Sequence, residues 1–366
     1  MILPPLSLYI HYPWCVKKCP YCDFNSHQQH SENDIAYMQA VLADLKNQLH
    51  WVRGREIQTI FIGGGTPSLC SIEAMNALFT GLRTMLDFAK NIEITLEANP
   101  GASDGKKFSE LYALGVNRLS IGVQSFDDRH LKNLGRIHSS HQAIKTVQQA
   151  QIAGFDNINI DLMFGFEEQR VDECLNDVKQ AIALNPAHIS FYQLTIEPNT
   201  LFAKCPPKLS QEENWEMQTQ GHQLLEQAGF DQYEVSAFSQ RPAKHNLNYW
   251  QFGDYLGIGA GAHGKITTDD KIMRTVQSKS PKDFIENNQS KTTTVEQVSF
   301  EFMLNALRLK AGFEPDLFMQ RTGLTLKDIE VPLQKGFDLG LLSQKGNIKT
   351  TQKGFDFLND CQALFL

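Results

Sequence analysis

Six apolar runs rich in β-branched residues, separated by helical stretches, constrain the fold of this chain most. They are LSLYIHY (6–12), IQTIFIGGG (57–65), IEITLEAN (92–99), RLSIGVQS (118–125), NINIDLMFG (157–165) and HISFYQLTI (188–196). Between them, residues 32–50, 71–88 and 127–153 carry apolar side chains at helical spacing. Strands that alternate with helices predict a parallel sheet, because two parallel strands must be joined by a long crossover. Periodicity leaves open whether the sheet is doubly wound or curled into a barrel.

Residues that could bind a metal or a polar ligand lie near the ends of these runs or directly after them. Three cysteines follow the first run, and GGGTP (63–67) closes the second. Glu97 ends the third run, Gln124 ends the fourth, and Asp161 lies in the fifth. In parallel α/β folds the loops at the carboxyl edge of the sheet converge on one cleft. We therefore expect the functional site at that edge.

The chain is long enough, at 366 residues, for one large α/β domain and a small appendage. We assign residues 1–235 to the core domain, 236–294 to a connecting segment rich in glycine and aromatic residues, and 295–366 to a helical C-terminal domain. Within the last, LLSQKGNIKTT (341–351) predicts a β-hairpin. Residues 295–366 contain eight Lys and Arg against nine Asp and Glu, which favours a packing or lid module over a DNA-reading winged helix.

Charge and hydropathy exclude some classes of function. The net charge of -7 argues against a nucleic-acid partner, which requires a basic face. No run approaches the roughly 18 apolar residues of a membrane helix, and the N-terminus does not resemble a signal peptide. We expect a cytoplasmic protein. Thiols stay reduced there, so a tight cysteine cluster indicates metal or redox chemistry instead of a disulfide framework.

Such a cluster lies in HYPWCVKKCPYCDFNSH (11–27), which holds Cys15, Cys19 and Cys22. Structural zinc needs four ligands, usually as two close pairs, and no second pair exists in the sequence. His11 or His27 could complete a zinc tetrahedron. A cubane of four irons held by three thiolates would instead keep one iron open for a ligand. The residues alone leave both metals possible, beside coincidental core cysteines.

CxxxCxxC after a first strand, with Tyr21 between the last two cysteines, is similar to the radical S-adenosylmethionine superfamily. The resemblance implies a 4Fe-4S cluster on Cys15, Cys19 and Cys22, whose open iron chelates S-adenosylmethionine and whose electron cleaves it to a 5′-deoxyadenosyl radical. It also implies an α/β fold, an incomplete parallel (β/α)6 barrel followed by a smaller, mainly helical, winged-helix-like C-terminal domain. Over essentially the whole chain, the sequence resembles the oxygen-independent coproporphyrinogen III oxidase branch.

The resemblance also implies a set of residues that contact S-adenosylmethionine. They are Tyr9, Tyr21, Gly64, Gly65, Thr66, Glu97, Gln124, Arg136 and Asp161, with His263 of YLGIGAGAHGK as a neighbour. Read from the residues alone, GGGTP offers backbone without Cβ atoms and free N–H groups for the charged methionyl end, or is simply a tight turn. The competing interpretations are that Glu97 is a surface acid and that Tyr9 is an ordinary core tyrosine.

Phe24 separates two functions. The oxidases carry a further cysteine two positions after the third, whereas this chain has Phe24 there. The departure puts oxidative decarboxylation of coproporphyrinogen in doubt and leaves the cluster ligands intact. Haem chaperones of the same branch, which bind haem and pass it to acceptor proteins, are the alternative that we favour. The resemblance further implies an electron donor for the cluster, and leaves peripheral membrane association open.

A second motif, KHNLNYW (244–250), matches the HNxxYW signature associated with haem binding in those chaperones. The match implies that His245 ligates haem iron, while Tyr249 and Trp250 offer flat apolar faces to the macrocycle. Arg241 and Lys244 stand close enough in sequence to meet haem propionates. The competing interpretation is that this histidine packs in the core or caps a helix.

Overall fold

The computed structural model describes residues 2–28, 34–101 and 105–366. Its strands are β1 (Leu6–Tyr12), β2 (Trp14–Cys15), β3 (His27–Gln28), β4 (Ile57–Gly64), β5 (Phe88–Ala98), β6 (Arg118–Gln124), β7 (Ile158–Phe164), β8 (His188–Gln193), β9 (Asp231–Glu234), β10 (Ala237–Ser239), β11 (Asp254–Ile258), β12 (His263–Thr267), β13 (Ile272–Val276), β14 (Lys291–Thr294), β15 (Leu342–Lys345) and β16 (Asn347–Thr350). Its helices are α1 (Asp34–Gln48), α2 (Ile72–Met85), α3 (Gly105–Leu114), α4 (Asp128–Asn133), α5 (Ser140–Ile152), α6 (Val171–Ala183), α7 (Leu201–Lys204), α8 (Gln211–Gln227), α9 (Lys244–Trp250), α10 (Pro281–Asn287), α11 (Val298–Ala306), α12 (Pro315–Thr322), α13 (Glu330–Asp338), α14 (Gln352–Asp356) and α15 (Leu358–Ala363), with short 3-10 turns at Leu49–Trp51, Pro67–Leu69 and Leu326–Ile329. The first residues of the helix expected from position 32 lie outside the described residues.

The central sheet is parallel in its middle and antiparallel at both ends. Its order is β14-β13-β12-β11-β1-β4-β5-β6-β7-β8-β10-β9. All six predicted strands form, and each pairs in parallel with the next along the chain. A seventh parallel strand, β11, comes from the segment that the sequence suggested was a connection, and it pairs with β1. Among the described residues β14 and β9 do not pair with each other, so the sheet stays open.

The parallel strands carry apolar side chains on one face and polar side chains on the other. Along β7, Ile158, Ile160 and Leu162 are buried in the main core, whereas Asn159 and Asp161 line a cavity. Helices cover the apolar face, as a parallel sheet requires. The opposite face is therefore a polar interior that opens at the carboxyl edge.

The helix predicted over residues 127–153 is two helices, α4 and α5, because local hydrogen bonding interrupts it. Ser139 begins α5 with a capping box, in which Ser139 and Gln142 bond each other's backbone. Gly135 has a φ of 72°, which closes α4. The loop between the helices carries Arg136 to the carboxyl edge.

The C-terminal helices and the predicted hairpin form a second core around Phe302. The hairpin is confirmed, since β15 and β16 pair antiparallel from Leu342–Thr350 to Lys345–Asn347 around Gly346. An ion pair of 3.0 Å between Arg308 and Glu234 joins this part to the sheet. None of the described helices has the length and apolar content that crossing a membrane requires.

Candidate functional site

A cavity of about 280 Å³ opens at the carboxyl edge of the parallel strands. Cys15, Cys19 and Cys22, which follow β1, line its mouth together with residues from the ends of β4 to β8. The predicted site therefore lies where the topology of a parallel sheet places it. We call this space the cluster cavity.

The cysteine loop is shaped by its own backbone bonds. β2 pairs with β3 through Trp14–His27 and Cys15–Gln28, and a tight turn joins the Cys22 N–H to the Cys19 carbonyl at 3.1 Å. Burial raises the pKa of the Cys15 and Cys22 thiols, so a metal must displace their protons before they ligate. Three thiols around one cavity suit a cluster with three protein ligands.

The GGGTP segment lies against the cysteine loop, with hydrogen bonds that the sequence interpretation missed. The N–H groups of Gly64, Gly65 and Thr66 donate to Glu97 Oε2 (3.0 Å), Tyr12 O (2.7 Å) and Trp14 O (2.7 Å) respectively. The expectation of free N–H groups is thus wrong, because the loop uses them to attach to its neighbours. Glycine is needed for another reason: a Cβ on Gly65 would lie 2.4 Å from the Trp14 carbonyl oxygen.

Two carboxyl groups line the cluster cavity without an ion pair among the described residues. Burial, and then repulsion from Asp161, raises the pKa of Glu97 to about 7. Burial also raises the pKa of Asp161, whose oxygens accept from Asn159 at 2.7 Å and Ser120 at 3.2 Å. Two partly desolvated carboxylates favour a cationic ligand. The ammonium and sulfonium groups of S-adenosylmethionine satisfy that requirement, so the site's chemistry fits this cofactor.

Arg136 links the cysteine loop to the sheet. Its guanidinium lies 3.8 Å from Cys19 Sγ, and donates to Asn99 Oδ1 at 2.7 Å and Gly122 O at 2.6 Å. Asn99 in turn donates to Thr66 Oγ1 at 2.8 Å. Asn99 escaped the sequence interpretation, although it directly follows Glu97 and Ala98 at a strand end.

Gln124 and Tyr21 also line the cluster cavity. Gln124 has a φ of 71°, a left-handed backbone conformation that few non-glycine residues adopt. It accepts a hydrogen bond of 3.0 Å from Tyr192, a cavity residue that was not predicted. Arg118, likewise missed, extends the polar lining deeper into the sheet.

Tyr9 and His263 do not line the cluster cavity but a second, larger space beside it. This depression holds about 710 Å³. Both spaces are lined by Lys18, Cys22, Phe24 and Ser26, so the end of the cysteine loop separates them. The Phe24 side chain is 59% exposed at this boundary. We call the larger space the outer depression.

His245, Tyr249 and Trp250 lie on one short helix, α9, but only Tyr249 lines the outer depression. His245 is 1% exposed, and its Nδ1 lies in a hydrogen bond of 2.7 Å with Thr59 Oγ1. Tyr249 lines the outer depression. Trp250 packs on the side of the C-terminal core, where the guanidinium carbon of Arg308 lies 4.3 Å from the centroid of the Trp250 ring.

The two basic residues expected to meet the haem propionates, Arg241 and Lys244, also face elsewhere. Lys244 Nζ donates to the Asn91 carbonyl at 2.8 Å, and Arg241 pairs with Asp156 at 3.3 Å. The geometry therefore brings the predicted cofactor residues together, except Tyr9 and His263. Of the residues predicted for haem, it joins the His245 and Tyr249 rings, whose centroids are 4.6 Å apart, and directs Trp250, Lys244 and Arg241 elsewhere.

Comparison with known proteins agrees with this geometry. Residues 9–178 match the model of the radical SAM superfamily. "Heme chaperone HemW" of Escherichia coli is 47% identical over all of this chain and 99% of that protein, and HemW of Haemophilus influenzae is 45% identical over 100% and 98%. Among solved structures, coproporphyrinogen III oxidase (HemN) of Escherichia coli superposes with a TM-score of 0.84 at 21% identity, covering 99% of this chain and 90% of that one, which confirms the radical SAM fold. The chain belongs to the HemW family within the radical SAM superfamily.

Proposed function

We propose that this protein is a haem chaperone, which binds haem and transfers it to acceptor proteins. The observation that carries the proposal is identity of 41–47% with HemW chaperones over the full chain. Phe24 supports it, because the residue leaves the cysteine loop without the additional cysteine of the oxidases.

In this proposal Cys15, Cys19 and Cys22 would hold a 4Fe-4S cluster, and the cluster cavity beside them would hold S-adenosylmethionine. The cluster would supply one electron for reduction of the sulfonium of the bound cofactor. Glu97 and Asp161 supply negative charge for a cationic cofactor, and the Arg136–Asn99–Thr66 chain fixes the cavity wall beside Cys19. Tyr21, Gly64, Gly65 and Gln124 complete the cofactor lining.

The proposal also gives the protein partners and a compartment. An electron donor reduces the cluster, and haem-accepting proteins take the cargo, with peripheral membrane association where such acceptors reside at a membrane. We place the protein in the cytoplasm, because three reduced thiols in one loop need a reducing compartment.

Anaerobic reconstitution followed by haem transfer tests the function. The reconstituted protein should take up haemin and release it to apomyoglobin, which serves as a spectroscopic acceptor. Incubation with coproporphyrinogen III, S-adenosylmethionine and a reductant should give no carbon dioxide and no protoporphyrinogen. Decarboxylation without haem transfer would instead identify the chain as an oxidase.

A further inference from the structure

We propose that haem binds in the outer depression, with His263 as the ligand of its iron and the tyrosines of the wall against the macrocycle. The inference rests on the proposed function. It places the haem site in the outer depression, which Tyr249 lines, instead of at His245 and Trp250 of the same helix.

The size and the surface of the outer depression suit a flat macrocycle. Its volume of about 710 Å³ lies within the roughly 300–1,000 Å³ of sites for ligands of this size. Tyr9, Tyr249 and Tyr255 form one wall, where the Tyr249 and Tyr255 rings stand 4.4 Å apart. Phe24 offers an exposed apolar face at the border with the cluster cavity. Burial of aromatic area on this scale is a main source of affinity for such a ligand.

Three histidines line the depression, and only His263 has an imidazole without a hydrogen bond to any residue that the structure describes. His11 is held by the Tyr9 hydroxyl at 2.9 Å and the Asn25 carbonyl at 2.8 Å. His27 contacts Asn25 Oδ1 at 3.3 Å and the Lys279 carbonyl at 3.2 Å. An imidazole with both nitrogens free can ligate iron without breaking an existing bond.

The charges around His263 favour ligation. Partial burial, then the positive charges of Lys279 and Arg274, lower the pKa of His263, which keeps the imidazole neutral near pH 7. Arg274 is itself directed to the Tyr255 hydroxyl at 2.8 Å and paired with Glu301. A neutral imidazole offers iron a lone pair, whereas a protonated one does not.

The rim of the depression provides cations for the haem carboxylates. Lys279 and Lys18 are exposed and line the depression. Lys18 donates to the Phe24 carbonyl at 3.0 Å, so a propionate at this rim would also contact the loop that bears Phe24. Phosphates and carboxylates are the usual partners of such exposed lysines.

Haemin titration of the full-length, anaerobically reconstituted protein tests the site, with the Soret band as readout. His263→Ala should shift the band and weaken haemin binding by about tenfold or more, through loss of a directional ligand. Added imidazole should restore the wild-type spectrum, which a merely structural role would not predict. His141→Ala is the matched control, because His141 is an exposed histidine on α5 outside the depression.

A second variant tests the rim independently of the iron. Lys279→Glu should weaken haemin binding by several-fold, because it removes a cation that pairs with a propionate. The binding of haemin dimethyl ester should stay unchanged, because the esterified propionates carry no charge.

Two results would overturn the proposal, and they differ from each other. If His263→Ala binds haemin with wild-type spectrum and affinity while His245→Gln loses it, haem binds at α9 and the proposed function stands. If the wild-type protein itself binds no haemin, the proposed function fails and the site with it.

Discussion

The two ends of the parallel strands differ in what their motifs do. At the carboxyl edge, the CxxxCxxC loop presents thiols to a cavity and leaves Phe24 exposed. At the amino edge, α9 with its KHNLNYW sequence closes the interior, and Asn246 forms part of the cavity floor. Both motifs contain residue types that bind iron. The difference shows that a motif indicates ligand chemistry only where the fold leaves its side chains open.

Hydrogen bonds account for the closed end. Glu93 accepts from the N–H groups of Lys244 and His245, each at 3.1 Å, and so stabilises the start of α9. Asn248 donates to Ser7 Oγ and to the Asp254 carbonyl, each at 2.9 Å. These bonds join the helix to β1, β5 and β11. Except for Tyr249, which lines the outer depression, the motif therefore closes the polar interior at this edge.

Removal of a cysteine from the open end should have the largest effect. We expect Cys19→Ala to reduce the iron content of anaerobically reconstituted protein from about four per chain to near zero, because a cubane is not held by two thiolates. Cys205→Ala should keep full iron content, since Cys205 is exposed and lines neither space. Iron analysis and the visible spectrum report the difference. A colourless wild-type protein with stoichiometric zinc would contradict the prediction.

Shortening of a buried side chain at the closed end should affect the stability of the fold instead of the metal content. We expect His245→Ala to lower the free energy of unfolding by about 2–4 kcal/mol, because it leaves a cavity beside the Phe61 and Tyr249 rings and removes the hydrogen bond between His245 and Thr59. Urea unfolding of the cluster-free protein measures this, with the exposed His141→Ala as control. The folded fraction should bind haemin as the wild type does. A stable variant that has lost haemin binding would support the ligand role that the motif implied.

The sequence was sufficient for the strands and for most of the cluster cavity. The sequence predicted Glu97, Gln124 and Asp161, because a polar residue at the end of an apolar strand of a parallel sheet needs a ligand or a network of polar partners. Tyr192, Ser120 and Asn159 were missed, although polar residues alternate with apolar ones along β6, β7 and β8 and so mark one inner face. This alternation of polar and apolar residues is the sequence pattern that could have predicted the three cavity residues.

Other features depend on contacts that are distant in sequence. β11 joins the sheet beside β1, about 250 residues away, and no local pattern in its glycine-rich stretch predicts that neighbour. Burial of His245 depends in the same way on Thr59 of β4. The bonded state of the GGGTP N–H groups depends on the path of the cysteine loop. None of these three contacts can be predicted from the neighbouring residues in the sequence.

A glycine substitution can test how closely the GGGTP segment packs against the cysteine loop at the open end. We expect Gly65→Ala to cost about 1–3 kcal/mol and to lower the cluster occupancy, because its Cβ would lie 2.4 Å from the Trp14 carbonyl oxygen and push on the cysteine loop. Gly105→Ala serves as control, since among the described residues its Cβ would meet only Gln149, at 3.8 Å. Thermal unfolding and iron analysis compare the two variants. Equal iron content in both would mean that the loop moves aside at little cost.

The smallest effect that we predict is a pH dependence of cofactor binding at the open end. Glu97 has a pKa of about 7, raised by burial and then by Asp161, and a cationic cofactor binds best to its ionised form. The ionised fraction falls as the pH drops through 7, so the affinity for S-adenosylmethionine should weaken roughly tenfold from pH 8 to pH 6. Anaerobic equilibrium dialysis of cluster-containing protein measures the affinity. Glu97→Gln should bind more weakly at pH 8 and lose most of the pH dependence, whereas Glu212→Gln, at an exposed position outside both spaces, should behave as the wild type. The same pH profile in the Glu97→Gln protein would assign the titration to Asp161 or to the cofactor's own amino group, and would remove Glu97 from the charge balance of the site.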